Sequence, residues 1–273
     1  MAAHKPLLYI VKLGGGLLDQ SDALEQFLLS FATLAQQNQA GTTAHTMLVH
    51  GGGKLATELA TQLGINQQLH EGRRITDGET LKLVTMVYAG YINKNIVASL
   101  QAKGCNALGL SGVDGNLIRA KKRTTTSVDY GFVGDPVEVN TDLLDSLFTN
   151  NILPVIAPIT HNKQGQLLNT NADTVAQTLA VALSARYSVE LIYTFEKNGV
   201  LSDSNNPDSV MGAINKNTYR TLKEKQIIHS GMLPKLDNAF AALDAGVTVV
   251  RIGKAEELLT LIKGQAGTTL THA

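Results

Sequence analysis

One cysteine, Cys105, stands in 273 residues. No intrachain disulfide can therefore form, and no Cys/His set has the spacing of a structural zinc site. A reducing, cytoplasmic setting is expected. Charge of one sign is missing as well. The 23 Lys and Arg balance the 23 Asp and Glu, whereas a nucleic-acid binder needs a net basic surface to meet phosphates. Long hydrophobic runs are absent too: the N-terminus offers only residues 7–11 before Lys12. That run is too short for a secretion signal, and nothing later approaches the ~20 apolar residues of a membrane span. No internal repeat, low-complexity tract or flexible linker interrupts the chain.

What is present is a globular composition, 44% hydrophobic and 17% charged, in a chain long enough to bury a full core without staples. The length suits one large domain or two lobes. Residues 7–13 read as a buried parallel strand. Asp22 is expected to cap the next helix, with Glu25 completing a capping box, and Leu24, Phe27, Leu28, Phe31 and Leu34 line its apolar face. Residues 46–49 form a second strand and 54–63 a second helix. Thr76 and Glu79 are expected to cap a long helix ending near Gly104. After a strand at 107–110, Gly112, Gly115, Gly131 and Gly134 punctuate short alternating runs, which predicts hairpins projecting from the sheet. A helix from Asn140, a strand at 153–159, an Asn171-capped helix and a strand at 189–195 follow. Helices near 217–225 and 234–245, a strand at 248–252 and a helix at 255–263 complete the chain. The alternation predicts a mostly parallel sheet with helices on both faces.

The familiar catalytic signatures are missing. Gly14 to Asp19 reads GGGLLD and not GxGxxG, and Gly53-Lys54 is followed by Leu55, so no Walker A loop exists. Neither GxSxG nor HExxH occurs. Instead, two glycine triplets, Gly14–Gly16 and Gly51–Gly53, stand at the carboxyl ends of the first two strands, where open parallel sheets bind ligands. Without Cβ atoms, their N–H groups can approach a phosphate or carboxylate closely. One triplet alone reads as a tight turn; two at equivalent positions, one followed by Lys54, favour an anion site. Asn169, Asn171 and Asp173 make an N-x-N-x-D run entering a helix, more polarity than a cap requires. Lys235 lies in the first turn of a helix, against the dipole, which suggests an anion shared with that helix end. Arg73 and Arg74 present planar forks suited to carboxylates. The basic run Arg119, Lys121, Lys122 and Arg123 is expected on a solvated hairpin face, and His50 is expected to be structural.

Together these segments resemble the amino acid kinase superfamily, and within it the acetylglutamate kinases. The marks are KLGGG (12–16), VHGGGK (49–54), GRRITD (72–77), GLSGVDGNLIRAKK (109–122), LNTNADTVA (168–176), SGMLPKLDNA (230–239) and AGVTVVRIG (245–253). The resemblance implies an α/β three-layer sandwich, a mostly parallel eight-stranded sheet between helices, built as a single domain. An N-terminal lobe (1–165) would hold the acyl amino acid, and a C-terminal lobe (166–273) would hold ATP with Mg²⁺. It implies phosphorylation of the γ-carboxylate of N-acetyl-L-glutamate in arginine biosynthesis. Lys12 and Lys235 match the family's phosphate-stabilising lysines and Asp173 the aspartate that orients them. Gly51, Gly52, Arg74 and Asn169, with Asn171, match substrate-binding positions. Gly14, Gly15 and Gly53 fall on the phosphate, and Glu196 and Gly199 near the nucleotide.

Two departures stand out. Arg73 replaces a usually apolar residue, and its guanidinium could pair with a further carboxylate, such as that of an N-succinyl group; otherwise it points to solvent. Glu196 stands where an aspartate is usual. The extra N-terminal helix of arginine-inhibited hexamers is missing, so a homodimer is expected. N-succinyl-L-glutamate as substrate, a sister kinase, or a non-catalytic amino-acid sensor on the same fold are the alternatives. Neither nucleic acid nor membrane is expected as a partner.

Overall fold

Continuous apolar sequence makes Leu7–Leu13 the central strand, β1, of the protein. The computed structural model describes residues 5–39, 44–70, 73–124, 128–203, 205–228 and 232–272. Gly72, Ser230 and Gly231 of the motifs quoted above lie outside them. A short 3₁₀ turn, Gly15–Asp19, joins β1 to α1 (Ser21–Gln39), and β2 (Ala44–His50) leads into α2 (Gly53–Gln62). The hairpin β3 (Gln68–His70) and β4 (Arg73–Ile75) precedes α3 (Gly78–Thr85), which runs through a π-helical stretch, Met86–Ile92, into α4 (Asn93–Ala102). Then come β5 (Ala107–Ser111), β6 (Ile118–Lys122), β7 (Gly134–Val139), α5 (Thr141–Thr149), β8 (Leu153–Ala157), β9 (Ile159–His161) and β10 (Leu167–Asn169). The chain continues with α6 (Ala172–Leu183), β11 (Ser188–Phe195), β12 (Ala213–Asn215) and α7 (Lys216–Glu224). It ends with α8 (Leu233–Asp244), β13 (Val249–Lys254), α9 (Leu258–Ile262) and β14 (Thr268–Thr271).

The main sheet has eight strands in the order β12-β14-β13-β11-β1-β2-β8-β5. It is parallel except that β14 runs antiparallel to β13, with β12 parallel to β14. The expected eight-stranded α/β sandwich is therefore found. Pleating sends alternate residues of β1 to opposite faces. Leu8 and Ile10 pack with Val175 and Leu179 of α6 and Leu236 of α8. Val11 and Leu13 pack with Phe27 and Phe31 of α1 on the other face. Lys12 shares the parity of Leu8 and Ile10, so it faces α6 and α8.

Several local expectations shift. The strand expected at 153–159 breaks at Pro158: β8 belongs to the main sheet, and β9 enters a four-stranded sheet ordered β10-β9-β6-β7. Proline lacks the N–H that a continuous ladder would use. The projecting hairpin is β6–β7, and the two arginines of its basic run are paired, Arg119 with Glu138 and Arg123 with Asp135. A lobe boundary at 165/166 falls in the turn between β9 and β10. Asp22 lies inside the first turn of α1 and not at its cap, because Leu24 N–H donates to the Gln20 carbonyl. Thr76 does not cap α3 either. Its hydroxyl accepts from Asn169, and Asp77 caps instead, its Oδ1 accepting from Thr80 N–H at 2.8 Å. Asn140 and Asn171 cap α5 and α6 as expected.

His50, at the end of β2, is fully buried. Its Nδ1–H donates to the Gly51 carbonyl at 2.8 Å, and Nε2 accepts from Asn93 Nδ2 at 3.1 Å. These partners fix a neutral ring with the proton on Nδ1. Burial pushes the pKa down to about 4, against a smaller upward pull from the Gly51 bond. Since the folded value lies below the ordinary 6.5, the unfolded chain binds the proton first as pH falls. The contribution of a neutral His50 is complete above pH 6.5 and drains away toward pH 4. Between pH 7 and 5 this amounts to about 2 kcal/mol. Urea unfolding of wild type and His50→Gln at both pH values should show the variant's pH dependence smaller by that amount; equal dependence would mean the ring does not titrate this way.

Candidate active site

Lys12, one residue from the end of β1, is nearly buried at 9% exposed, and an ammonium in that position needs a partner. Asp173 supplies it: Lys12 Nζ lies 2.8 Å from Asp173 Oδ1. The aspartate is fixed by its helix. Asn171 caps α6 by accepting from the N–H groups of Asp173 and Thr174 at 2.8 and 3.1 Å. The carboxylate sits in the first turn, where the dipole favours negative charge. The first turn of α8 brings Lys235 to the same carboxylate, with Nζ 3.5 Å from Oδ2. Burial pushes the Asp173 pKa up, but Lys12 and then Lys235 outweigh it and hold the carboxyl below its usual range. Two ammonium groups on one carboxylate leave an excess of positive charge.

These three residues line a cleft of about 380 Å³ with Tyr193, Thr194 and Phe195 of β11. The Lys235 ammonium lies 5.7 Å from the centre of the Phe195 ring, within cation–π range. Sequence reasoning missed these three wall residues. No pattern in the sequence marks them, because the register that sets Tyr193 beside Lys12 arises only when β11 pairs with β1.

Both glycine turns open onto this end of the sheet. Strand order turns back at β1, with β2 on one side and β11 on the other, and a crevice at such a point is the usual ligand site. The three glycines of the first turn differ. A Cβ on Gly14 would lie 2.7 Å from the Thr194 carbonyl oxygen, a Cβ on Gly16 would strike the Glu196 carboxylate, and one on Gly15 would meet nothing within 4 Å. Gly14 is thus required by packing, while Gly15 presents bare backbone. In the second turn, Gly52 has φ +154° and would press a Cβ onto the Tyr88 ring at 2.8 Å. Gly51 lies beside Ala172 of α6, and Gly53 begins α2.

Arg74 reaches the second turn from β4. Its Nη2 donates to the Gly53 carbonyl and the Thr57 hydroxyl, each at 2.8 Å, and Nη1 donates to the Gln67 side chain. Asn169 is buried at the end of β10, its Nδ2 donating to Thr76 Oγ1 at 3.0 Å. Thr57 and Gln67 had no sequence signal, and the sequence marks Thr76 only as a helix cap. Arg73 does not join the group: neighbouring strand side chains point to opposite faces, and Arg73 is exposed. Asn171 is spent on capping. Glu196 is exposed but lies against Gly16. Gly199 is buried, and a Cβ there would lie 2.8 Å from both Thr268 Oγ1 and Val210 Cγ1, so packing accounts for it.

The model of the Amino acid kinase family matches residues 8–254. An acetylglutamate kinase of Cytophaga hutchinsonii is 52% identical over 256 residues, spanning 93% of this chain and 94% of that one. One from Parabacteroides distasonis is 52% identical over 251 residues, spanning 92% and 95%. Among solved structures, a protein of Streptococcus mutans UA159 superposes with a TM-score of 0.76 at 26% identity, covering 97% of this chain and 99% of that one.

The contrast within the first glycine turn is measurable. Gly14→Ala should destabilise the fold by about 1–3 kcal/mol through overpacking. Gly15→Ala should stay within about 0.5 kcal/mol of wild type and show its effect in ligand binding. Chemical denaturation of the two variants checks this, and equal destabilisation would remove the distinction.

Proposed function

The chain belongs to the amino acid kinase family, and from that premise we propose that it transfers the γ-phosphoryl group of ATP to the γ-carboxylate of N-acetyl-L-glutamate. The observation that carries this reading is the Lys12–Asp173–Lys235 cluster, positively charged overall, at the strand end between two glycine turns. Residues 1–165 would hold the acyl amino acid and 166–273 ATP, and Mg²⁺ bound with the nucleotide would add to the neutralisation of phosphate charge.

The acceptor carboxylate has an ordinary pKa of ~4.3 and is ionised at neutral pH, so the reaction needs no general base. His50 could not serve, because both ring nitrogens are engaged and buried. What the reaction needs is in-line placement of two anions and neutralisation of the charge between them. Lys12 and Lys235 neutralise it, Asp173 holds them, and the bare backbone at Gly15 supplies N–H groups. Arg74 takes a carboxylate of the amino acid by exchanging neutral acceptors for a charged one. The product is an acyl phosphate, an intermediate of amino-acid biosynthesis.

The exposed position of Arg73 gives an N-succinyl substrate no support. A silent sensor is disfavoured because both lysines and Asp173 are assembled and the relatives are kinases. The cytoplasmic setting belongs to the same reading; no helix among the described residues is long and apolar enough to cross a membrane. So does a homodimer. Strand β5 is a sheet edge with Leu108 39% exposed, and the π-helical stretch packed near it exposes Met86 (54%) and Tyr91 (65%).

ADP release measured with N-acetyl-, N-succinyl- and free L-glutamate tests the proposal. The acetyl compound should give the highest kcat/KM, and no release with any of them would end the reading. Lys12→Ala and Lys235→Ala should each lower kcat by about 10²–10³-fold with little change in KM. Arg74→Ala should raise KM for the acyl amino acid and leave KM for ATP nearly unchanged. An equal rise for both substrates would assign Arg74 elsewhere.

A further inference from the structure

Lys54 follows the second glycine turn and was expected to strengthen an anion site. Its ammonium is instead directed at Asp19, 3.2 Å from Oδ2. The two ends of this pair are unlike. Lys54 is 61% exposed, whereas the Asp19 side chain is 13% exposed. Both Asp19 oxygens are sealed from solvent, and no well-aligned hydrogen bond reaches either among the described residues. A buried carboxylate in that condition needs a cation nearby. Helix stability does not explain the lysine, because a positive charge in the first turn of α2 opposes the dipole. Glu58 lies 4.0 Å away, and Glu196, which rests on Gly16, also acts on Lys54 electrostatically.

The position of Asp19 gives the pair its consequence. Asp19 closes the 3₁₀ turn that begins at Gly15, and Lys54 opens the helix that begins at Gly53. The ion pair is therefore a strap from the end of one glycine turn to the end of the other. We propose that Lys54 is a positioning residue whose ion pair with Asp19 sets the spacing between the two glycine turns. This rests on the kinase reading, in which the phosphoryl group passes between those turns. Lys54 touches neither substrate; it acts through Asp19 and the backbone of residues 15–19.

The test compares wild type, Lys54→Met, Lys54→Arg, Asp19→Asn and the Lys54→Met/Asp19→Asn double variant. ADP release with N-acetyl-L-glutamate is measured, and amide hydrogen exchange is followed across residues 14–20. Lys54→Met should lower kcat about tenfold, since displacement by ~1 Å at a reacting centre can cost up to 10²-fold. KM for both substrates should change less than kcat. Lys54→Arg should recover most of the rate. The double variant should be no worse than either single one, because the pair acts as a unit. Exchange across residues 14–20 should quicken in Lys54→Met. A fully active Asp19→Asn beside an impaired Lys54→Met would overturn the proposal and make Lys54 a ligand contact. Multiplying losses, or unchanged exchange, would also overturn it. If wild type releases no ADP, the kinase reading fails, while the exchange comparison still decides the strap.

Discussion

The site depends on one carboxylate placed between two ammonium groups. Lys12 is almost out of water, and removing an unpaired ammonium from solvent costs several kcal/mol. Asp173 offsets that cost at 2.8 Å. The α6 N-terminus in turn favours Asp173, because its dipole and capped N–H groups prefer a negative charge there. A single carboxylate cannot neutralise two lysines. The surplus charge points into the cleft, where an incoming anion completes what the protein has left unbalanced. In the proposed reading, attraction for phosphate and order among the lysines come from the same three side chains.

The two lysines are held differently. Lys12 belongs to the central strand, flanked by β2 and β11, with 11% of its side chain exposed. Lys235 stands on a helix N-terminus with 41% exposed, and its carboxylate contact is longer, at 3.5 Å. The ring of Phe195 gives it a second, softer contact. A sheet strand buried on both faces moves little, while a helix terminus has more freedom. The arrangement pairs one charge held in the sheet with one on a freer helix end, which in the proposed reading can follow a group in transfer.

Much of this was legible in the chain. The β-α alternation predicted the parallel sheet, the two glycine triplets fall at its strand ends, and the resemblance to the kinases joined Asp173 to Lys12 and Lys235, which the structure brings together. What stayed hidden follows physical causes. Pro158 redirected a strand into another sheet, because hydrophobicity records burial and not ladder membership. Thr76 lost its capping role since a buried Asn169, distant in sequence, claims its hydroxyl. The two adjacent arginines read alike in sequence, but the pleat of β4 separates them: Arg74 turns to Gly53 and Arg73 to solvent. The glycines also read alike, although Gly14, Gly52 and Gly199 are dictated by neighbours pressing on them and Gly15 is not.

Arg74 shows how such a site stays orderly without leaving donors idle. Its guanidinium meets the Gly53 carbonyl, the Thr57 hydroxyl and the Gln67 amide oxygen, all neutral acceptors. Neutral acceptors leave the guanidinium charge unbalanced, whereas a carboxylate balances it and matches the planar fork with two parallel bonds. In the proposed reading a substrate carboxylate displaces these partners, which hold the fork in place until then. Because the partners lie on α2 and on the approach to β3, the exchange would be felt where the second glycine turn ends. Under the proposed function, recognition of the amino acid and placement of the second glycine turn would be parts of one exchange of hydrogen bonds.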